Sequence, residues 1–173
     1  MAIHFFSGKK EFRSLSNFWE REVVVEGHTY ESGEHAFHGE KYRLLSEDCE
    51  PERKKQLFDY SQTFLKPSLY KTGASVKRMG GKKGMPLSPE ELSKWYILSL
   101  EVQRNICRWK LEHEEEVRQD LKKSGTQLLI HPALRCSEEK VKERIWEGRC
   151  VIVDGNPVVL GQNRLGQIWM DLR

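Results

Sequence analysis

The chain has 173 residues, enough to bury one ordinary hydrophobic core, so we expect a single domain over residues 1–173. Its formal net charge is only +3 although 32% of its residues are charged, and this mixed surface excludes a strongly basic nucleic-acid-binding arm. No stretch approaches the roughly 20 apolar residues that span a bilayer, which excludes a membrane segment, and no export signal pattern is visible. We therefore expect the chain in the cytoplasm or nucleus.

The cysteines of the chain are widely spaced and form no C-x-x-C pair; they are Cys49, Cys107, Cys136 and Cys150. This spacing argues against a zinc site and favours free thiols in a reducing compartment. We expect neither a metal nor a cofactor.

Residues 3–6 and 22–30 combine β-branched and aromatic side chains between turn formers and predict short strands. We expect these segments to pair in a small antiparallel sheet. The loop at residues 15–19 between them mixes polar and aromatic side chains. Asn17 in this loop offers hydrogen-bond donors and acceptors to a sugar or base edge, although turn capping is the commoner role of such an asparagine.

A helix is predicted from Ser32, which is a good N-cap and leaves Glu34 in the first turn, where the helix dipole favours a negative charge. Glu34, His38 and Lys41 then share one helix face with apolar neighbours. Such a mixed face indicates charges turned inward, which are costly unless they are paired or used in chemistry. An exposed stripe of ion pairs explains the same spacing equally well.

Residues 60–87 are predicted to be irregular because they contain Pro67, Pro86 and several glycines. Within them, residues 77–84 combine four cations with three glycines. Glycines let backbone N–H groups approach an anion closely, so this segment predicts either a phosphate-binding loop or a flexible, solvated basic loop. The residue order of a P-loop is absent.

A long helix is predicted from Ser88 and Pro89. Apolar residues recur every three or four positions from Leu92 to Trp109, which gives this helix one inward face. Trp95 on this face is either a core residue or a stacking platform. The charged residues 112–116 predict a solvated bend before a further helical segment.

The last third of the chain predicts a turn at Pro132, a helix from Ser137 through Trp146, a hairpin around residues 154–157 and a glycine-rich turn into a short helix. The helix signals of the whole chain are longer and better capped than the strand signals. We therefore predict an α+β fold in which helices outweigh a small antiparallel sheet.

His35 and His38 have the spacing of metal ligands, but no third ligand follows at a recognisable distance. The G-x-S-x-G pattern of a serine nucleophile is also absent. By elimination, a carboxylate and a lysine are the best chemical candidates.

Several motifs together resemble the NADAR domain, or YbiA-like, family over nearly the whole chain. They are residues 15–18, residues 32–37 running to Lys41, Trp95, residues 108–109, residues 146–148 and residues 160–173. Residues 131–137 and 146–148 resemble eukaryotic and viral members more than the bacterial riboflavin-pathway branch. This similarity favours a substrate of the eukaryotic and viral members over one of the riboflavin pathway.

The resemblance implies a YbiA-like α+β fold and an N-glycosidase that acts on ribose attached to an exocyclic amine. Some members of the family remove ADP-ribose from guanine in nucleic acid, and others cleave a ribosylamino-pyrimidine phosphate of riboflavin synthesis. We expect the first activity, with ADP-ribosylated guanine in DNA or RNA as the partner. The second activity, and a non-catalytic module that binds ADP-ribose or a similar ligand, are the alternatives.

Glu34 and Lys41 are the catalytic residues that we predict from this resemblance. Glu34 acts as general acid or base, while Lys41 either forms a Schiff base at the anomeric carbon or leaves the attack to water. Many relatives carry an Asp just before a Trp-Gly element. In this chain the Trp and Gly are separated and the nearest equivalents of that Asp are Glu143 and Glu147, of which we assign the role to Glu143. The predicted substrate-binding residues are Asn17, Phe18, Ser32, Trp95, Glu143, Trp146 and Arg164.

Overall fold

The computed structural model describes all residues 1–173 and confirms the predicted α+β class. The helices are α1 (Gly33–Ser46), α2 (Pro51–Gln62), α3 (Gly73–Met79), α4 (Pro89–His113), α5 (Glu115–Ser124), α6 (Glu138–Lys142) and α7 (Arg164–Leu172). The strands are β1 (Ala2–His4), β2 (Val23–Val25), β3 (His28–Tyr30), β4 (Leu128–Ile130), β5 (Arg149–Val153) and β6 (Asn156–Leu160). None of the helices combines the length and apolar character needed to cross a membrane.

The strands form three separate pairs instead of one sheet. β2 and β3 pair antiparallel, and so do β5 and β6, where Asp154 and Gly155 have φ angles of 51° and 80° in the predicted hairpin turn. β1, in contrast, pairs parallel with β4, with Ile3 opposite Leu129. The expected pairing of residues 3–6 with 22–30 was therefore wrong, because local composition predicts a strand but not its distant partner.

Two helix predictions need correction. The segment 60–87, predicted to be irregular, contains α3, which begins with a capping box in which Thr72 and Ser75 exchange side-chain and backbone hydrogen bonds. The helix predicted from Ser137 through Trp146 ends at Lys142. The carbonyl of Arg144 accepts from Gln162 N at 2.8 Å and the carbonyl of Ile145 accepts from Arg164 N at 3.0 Å. The segment that leads into α7 therefore occupies the carbonyls that a longer helix would need for its own hydrogen bonds.

The long-range contacts of the chain divide it into two compact units, Glu20–Trp109 and the combination of Met1–Trp19 with Lys110–Arg173. In the first unit, α1 packs against α2, α3 and the β2–β3 hairpin. Its core is apolar and aromatic, and Tyr42 stacks on Phe64 with their ring centroids 5.8 Å apart. The fully buried members of this core include Val23, Ala36, Tyr42, Leu57, Phe64, Val76 and Ile106.

One buried carboxylate in this unit has a structural role. Glu40 is 1% exposed, and it accepts hydrogen bonds from Tyr30 Oη at 2.6 Å and from two nitrogens of Arg43 at 2.7 and 2.9 Å. These donors compensate the cost of burying the charge. Glu40 therefore helps to fix α1 to β3.

In the second unit, α7 packs on β4, and the buried side chain of Lys110 lies between two indole rings. Its Nζ is 5.6 Å from the ring centroids of both Trp19 and Trp169, and it donates to Ser16 O at 3.0 Å. Trp169 Nε1 donates to Leu15 O at 2.8 Å. Two consecutive carbonyls just before Asn17 are thus held by buried donors, which fixes the loop that carries this residue.

Candidate active site

The start of α1 places three ionisable side chains on one buried helix face. Ser32 caps the helix by accepting from His35 N at 3.2 Å. Along the following two turns, Glu34, His38 and Lys41 are only 9%, 8% and 6% exposed. The interpretation of this face as an exposed ion-pair stripe is therefore excluded, and the inward orientation is confirmed.

These side chains form a continuous line of contacts, which we call the Glu34–His38–Lys41 line. Glu34 Oε1 lies 2.9 Å from His38 Nε2, and His38 Nδ1 lies 3.2 Å from Lys41 Nζ. An ammonium can only donate, so Nδ1 of His38 is the acceptor and Nε2 carries the proton that is donated to Glu34. The imidazole thus connects the carboxylate to the amine across two helix turns.

Burial sets the protonation of this line. Burial lowers the pKa of Lys41 from 10.5 to about 8, and the nearby charge of Glu34 only partly opposes the shift. Burial also lowers the pKa of His38 from 6.5, against the hydrogen bond and charge of Glu34. At neutral pH the site therefore holds a neutral imidazole beside a lysine whose uncharged form is accessible, which is a requirement for a nucleophilic amine.

The loop after α3 completes the surroundings of Lys41. Lys41 Nζ donates to the carbonyl of Gly80, and the backbone of Gly80 packs against the ring of His38. A Cβ added at Gly80 would lie 2.2 Å from His38 Cγ and Nδ1, so only glycine fits there. The φ of Gly80 is −84°, which every residue can adopt, so this requirement comes from contact and not from backbone conformation.

This close approach gives a first prediction. Gly80→Ala is expected to lower the free energy of unfolding by about 1–3 kcal/mol, because the added methyl forces the imidazole or the loop to move. It should also reduce the activity more than the loss of folded protein explains. Chemical denaturation together with turnover per folded molecule measures both effects.

Gly81→Ala is the matched control, because its Cβ would approach no atom closer than the carbonyl of Lys77 at 3.2 Å. Equal effects of the two substitutions would contradict a specific role of the Gly80–His38 contact.

His35, the second histidine of this stretch, has a different task. Its Nδ1 lies 2.7 Å from Ser32 Oγ and its Nε2 lies 2.8 Å from Tyr70 O. Both ring nitrogens and the capping hydroxyl are thus engaged in holding the start of α1. Across residues 1–173, no group of three His, Cys, Asp or Glu side chains is arranged to hold a metal ion.

Trp95 lies on α4 in the same unit as the Glu34–His38–Lys41 line. It is 8% exposed, and its ring meets Phe37 at 5.1 Å and 64°. Phe37 in turn meets His38 edge-on at 5.4 Å. Trp95 thus belongs to the core and also supports the ring next to the imidazole.

The predicted site residues are divided between the two compact units. Glu34, Lys41, Ser32 and Trp95 belong to the unit Glu20–Trp109, and the structure brings the first two together through His38. The other unit contains buried Asn17, half-buried Phe18, half-buried Trp146, exposed Glu143 at the end of α6, and Arg164, whose Nε donates to Gln162 Oε1 at 2.9 Å.

Sequence reasoning missed two members of the site. His38 was placed on the correct face but received no role, although its spacing from Glu34 and Lys41 was a usable signal. Gly80 was seen only as part of a basic loop. Its contact with Lys41 joins residues 39 positions apart, and no local pattern predicts such a contact.

The chain was compared with known proteins. No protein-family model matches it. Two sequences of N-glycosidase YbiA from Shigella flexneri, one of them from serotype 5b, are each 27% identical to this chain over 171 residues. The match covers 99% of this chain and 86% of each relative. The NMR structure of YbiA from E. coli matches with a TM-score of 0.60 and 23% identity, covering all of this chain and 83% of that protein. The structural match shows a common fold.

Proposed function

Because this chain is homologous to N-glycosidase YbiA over nearly its whole length, which confirms the resemblance to the YbiA-like (NADAR) family, we propose that it is itself an N-glycosidase. The finer proposal is that it releases ADP-ribose from the amino group of guanine in nucleic acid. On this proposal the enzyme needs no metal ion and acts in the cytoplasm or nucleus.

The observation that carries this proposal is the buried Glu34–His38–Lys41 line. Cleavage of a C–N glycosidic bond needs a group that transfers protons and a means to stabilise or capture the electron-poor anomeric carbon. Glu34 supplies the first, and the amine of Lys41, with its pKa of about 8, supplies the second. His38 holds both groups at hydrogen-bond distance from one ring.

The lowered pKa of Lys41 favours a covalent route. The lone pair of the guanine amino nitrogen expels the ring oxygen from the anomeric carbon, and that oxygen takes a proton as the ribose opens to an imine. The neutral amine of Lys41 adds to the same carbon, and guanine leaves with its amino group protonated to NH₂. Water then hydrolyses the lysine Schiff base, which releases open-chain ADP-ribose and restores the amine.

Glu34 carries the protons in this sequence, and His38 links it to the amine. In the alternative route, water instead of Lys41 captures an oxocarbenium-like centre, with Glu34 as general base. Glu34 is essential in both routes. Only the first forms a bond to the protein.

The choice of guanine in nucleic acid rests on the similarity of residues 131–137 and 146–148 to eukaryotic and viral members. Asn17, Phe18, Ser32, Trp95, Glu143, Trp146 and Arg164 are proposed to contact the substrate, with Trp95 and Trp146 against the base and Arg164 towards a phosphate. These roles are part of the proposal.

Mass spectrometry of a guanine-ADP-ribosylated oligonucleotide incubated with the wild-type protein, with and without chelator, tests this function. We expect the unmodified oligonucleotide to be regained and free ADP-ribose to appear, with no effect of chelator. If nothing is released while a ribosylamino-pyrimidine phosphate is cleaved, the guanine proposal is wrong and the riboflavin-type activity is right. Thermal stabilisation by ADP-ribose with no product from either substrate would identify a binding module.

A further inference from the structure

One segment of the chain has a net positive charge because it contains no acidic residues. Residues 60–89 contain six of the 29 cations and none of the 26 acidic residues. Because the whole chain has a net charge of +3, all other residues together carry a net charge of −3. The small net charge of the whole chain therefore does not reveal this basic segment, which carries a net charge of +6.

Most of these cations point to solvent without an acidic partner. Lys66 pairs with Glu22. The remaining cations are exposed, and none lies within salt-bridge distance of an acidic side chain; they are Lys71, Lys77, Arg78, Lys82 and Lys83. We call these five residues the basic surface.

The backbone beneath the basic surface is fixed, in contrast to the flexible loop that was one interpretation of the sequence. Tyr60 Oη donates to Met79 O at 2.5 Å, and Gly84 N donates to Gly81 O at 3.0 Å. A Cβ at Gly84 would lie 1.9 Å from Met79 O, so the turn closes too tightly for any other residue. Lys82 and Lys83 are thus displayed on a defined turn that follows α3, whereas Lys71 precedes the helix and Lys77 and Arg78 lie in its last turn.

This turn also touches the candidate active site. The carbonyl of Gly80, which lies between Arg78 and Lys82 in the chain, accepts from Lys41 Nζ. The backbone that carries Arg78 and Lys82 therefore contacts the amine that we assign to the reaction.

We propose that the basic surface binds the sugar–phosphate backbone of the nucleic acid that carries the modified guanine, a proposal that rests on the proposed function. The cations begin before α3 and end after it, and a helix of 7 residues rises by roughly 10 Å. Phosphates of one strand follow each other at about 3.4 Å along a duplex axis, so a surface of this length meets several of them. A single diphosphate would occupy only part of it.

The test uses the variant Lys77→Gln/Lys82→Gln/Lys83→Gln and the matched control Lys9→Gln/Lys10→Gln/Lys54→Gln, which removes the same charge from exposed lysines elsewhere. Binding of a fluorescent, unmodified single-stranded oligonucleotide is measured as a function of salt. For the first variant we expect affinity at least about tenfold lower and a salt slope smaller by about 2, because each lost phosphate contact contributes roughly 0.7. The control should bind like the wild type.

Turnover is compared on two substrates, a modified oligonucleotide and ADP-ribosylated guanosine without a nucleic-acid backbone. The first variant should lose about tenfold or more in kcat/KM on the oligonucleotide and keep its kcat/KM on the nucleoside. Equal loss on both substrates would mean that the surface holds the diphosphate of ADP-ribose, and equal binding by variant and control would mean that it holds no phosphate; both results overturn the proposal.

Failure of the proposed function is recognised separately. If the wild type releases ADP-ribose from neither substrate, the assigned reaction is wrong. The binding of unmodified oligonucleotide still reports on the basic surface in that case.

Discussion

Replacing Glu34 by Gln is expected to lower kcat for ADP-ribose release by about 100-fold or more, because the amide cannot transfer the proton that both routes require. The amide has nearly the same shape as the carboxylate, and its oxygen can still accept from His38 Nε2 at the observed 2.9 Å. The thermal unfolding midpoint should therefore change little. Single-turnover release from the modified oligonucleotide, followed by mass spectrometry, measures the effect.

Glu40→Gln is the matched control for this prediction. Glu40 is buried in the same helix, but its hydrogen bonds are with Tyr30 and Arg43 and not with Lys41. This variant should be less stable because a charge-assisted network is weakened, yet turnover per folded molecule should remain near that of the wild type. If Glu40→Gln lowered kcat as much as Glu34→Gln, the loss would come from a disturbed α1 and not from the missing Glu34 carboxylate.

Replacing Lys41 by Met is expected to abolish a covalent adduct that borohydride traps in the wild type, and to lower kcat by about 100-fold or more. Methionine fills a similar buried volume without an amine. The trapped species should have the mass of the protein plus one ADP-ribosyl group, bound through the secondary amine that borohydride reduction forms, and peptide mapping should place it at Lys41. Lys110, the other deeply buried lysine, should stay unmodified. Release of product without an adduct would favour direct attack by water.

The pH dependence of kcat/KM shows whether Lys41 acts as a neutral nucleophile or as a cation. If the neutral amine attacks, kcat/KM rises with pH and levels off above about 8, the pKa of Lys41 in the folded protein. At pH 7 a pKa of 8 leaves about a tenth of the amine uncharged, against roughly one part in three thousand for a pKa of 10.5. If Lys41 instead acts as a cation, kcat/KM falls as the pH rises through the same value.

Since the charge of Glu34 raises the pKa of Lys41, Glu34→Gln should lower that pKa. The midpoint of imine trapping with a simple aldehyde, measured against pH, should then lie below about 8.

Local features of the fold and site were predictable because they follow from short-range geometry. The spacing of Glu34, His38 and Lys41 is a property of the helix itself, and the caps at Ser32 and Ser88 were visible in the sequence. The start of α3 was missed because Ser75 occupies the position where a capping box usually has Glu or Gln. Leu92 was assigned to the inward face of α4 but is exposed in its first turn.

Features that depend on distant partners were not predictable. The parallel pairing of Ile3 with Leu129 joins opposite ends of the chain. Likewise, the sequence alone shows neither that Gly80 accepts from Lys41 nor that Lys110 and Trp169 hold the carbonyls before Asn17. The direction of the pKa shift of Lys41 could be anticipated from the sequence. The size of the shift could not, because it depends on how deeply the packed structure buries the amine.

The Glu34–His38–Lys41 line lies within two turns of one helix, and this has a consequence for heating. The distances within the line are maintained by the hydrogen bonds of α1, whereas the dryness around Lys41 depends on the separate turn at Gly80. Loosening of that turn alone would admit water to Lys41, and hydration would return the pKa of the amine towards that of an ordinary lysine. Heating that opens the turn should therefore lower the reactivity at neutral pH even while α1 is still fully helical.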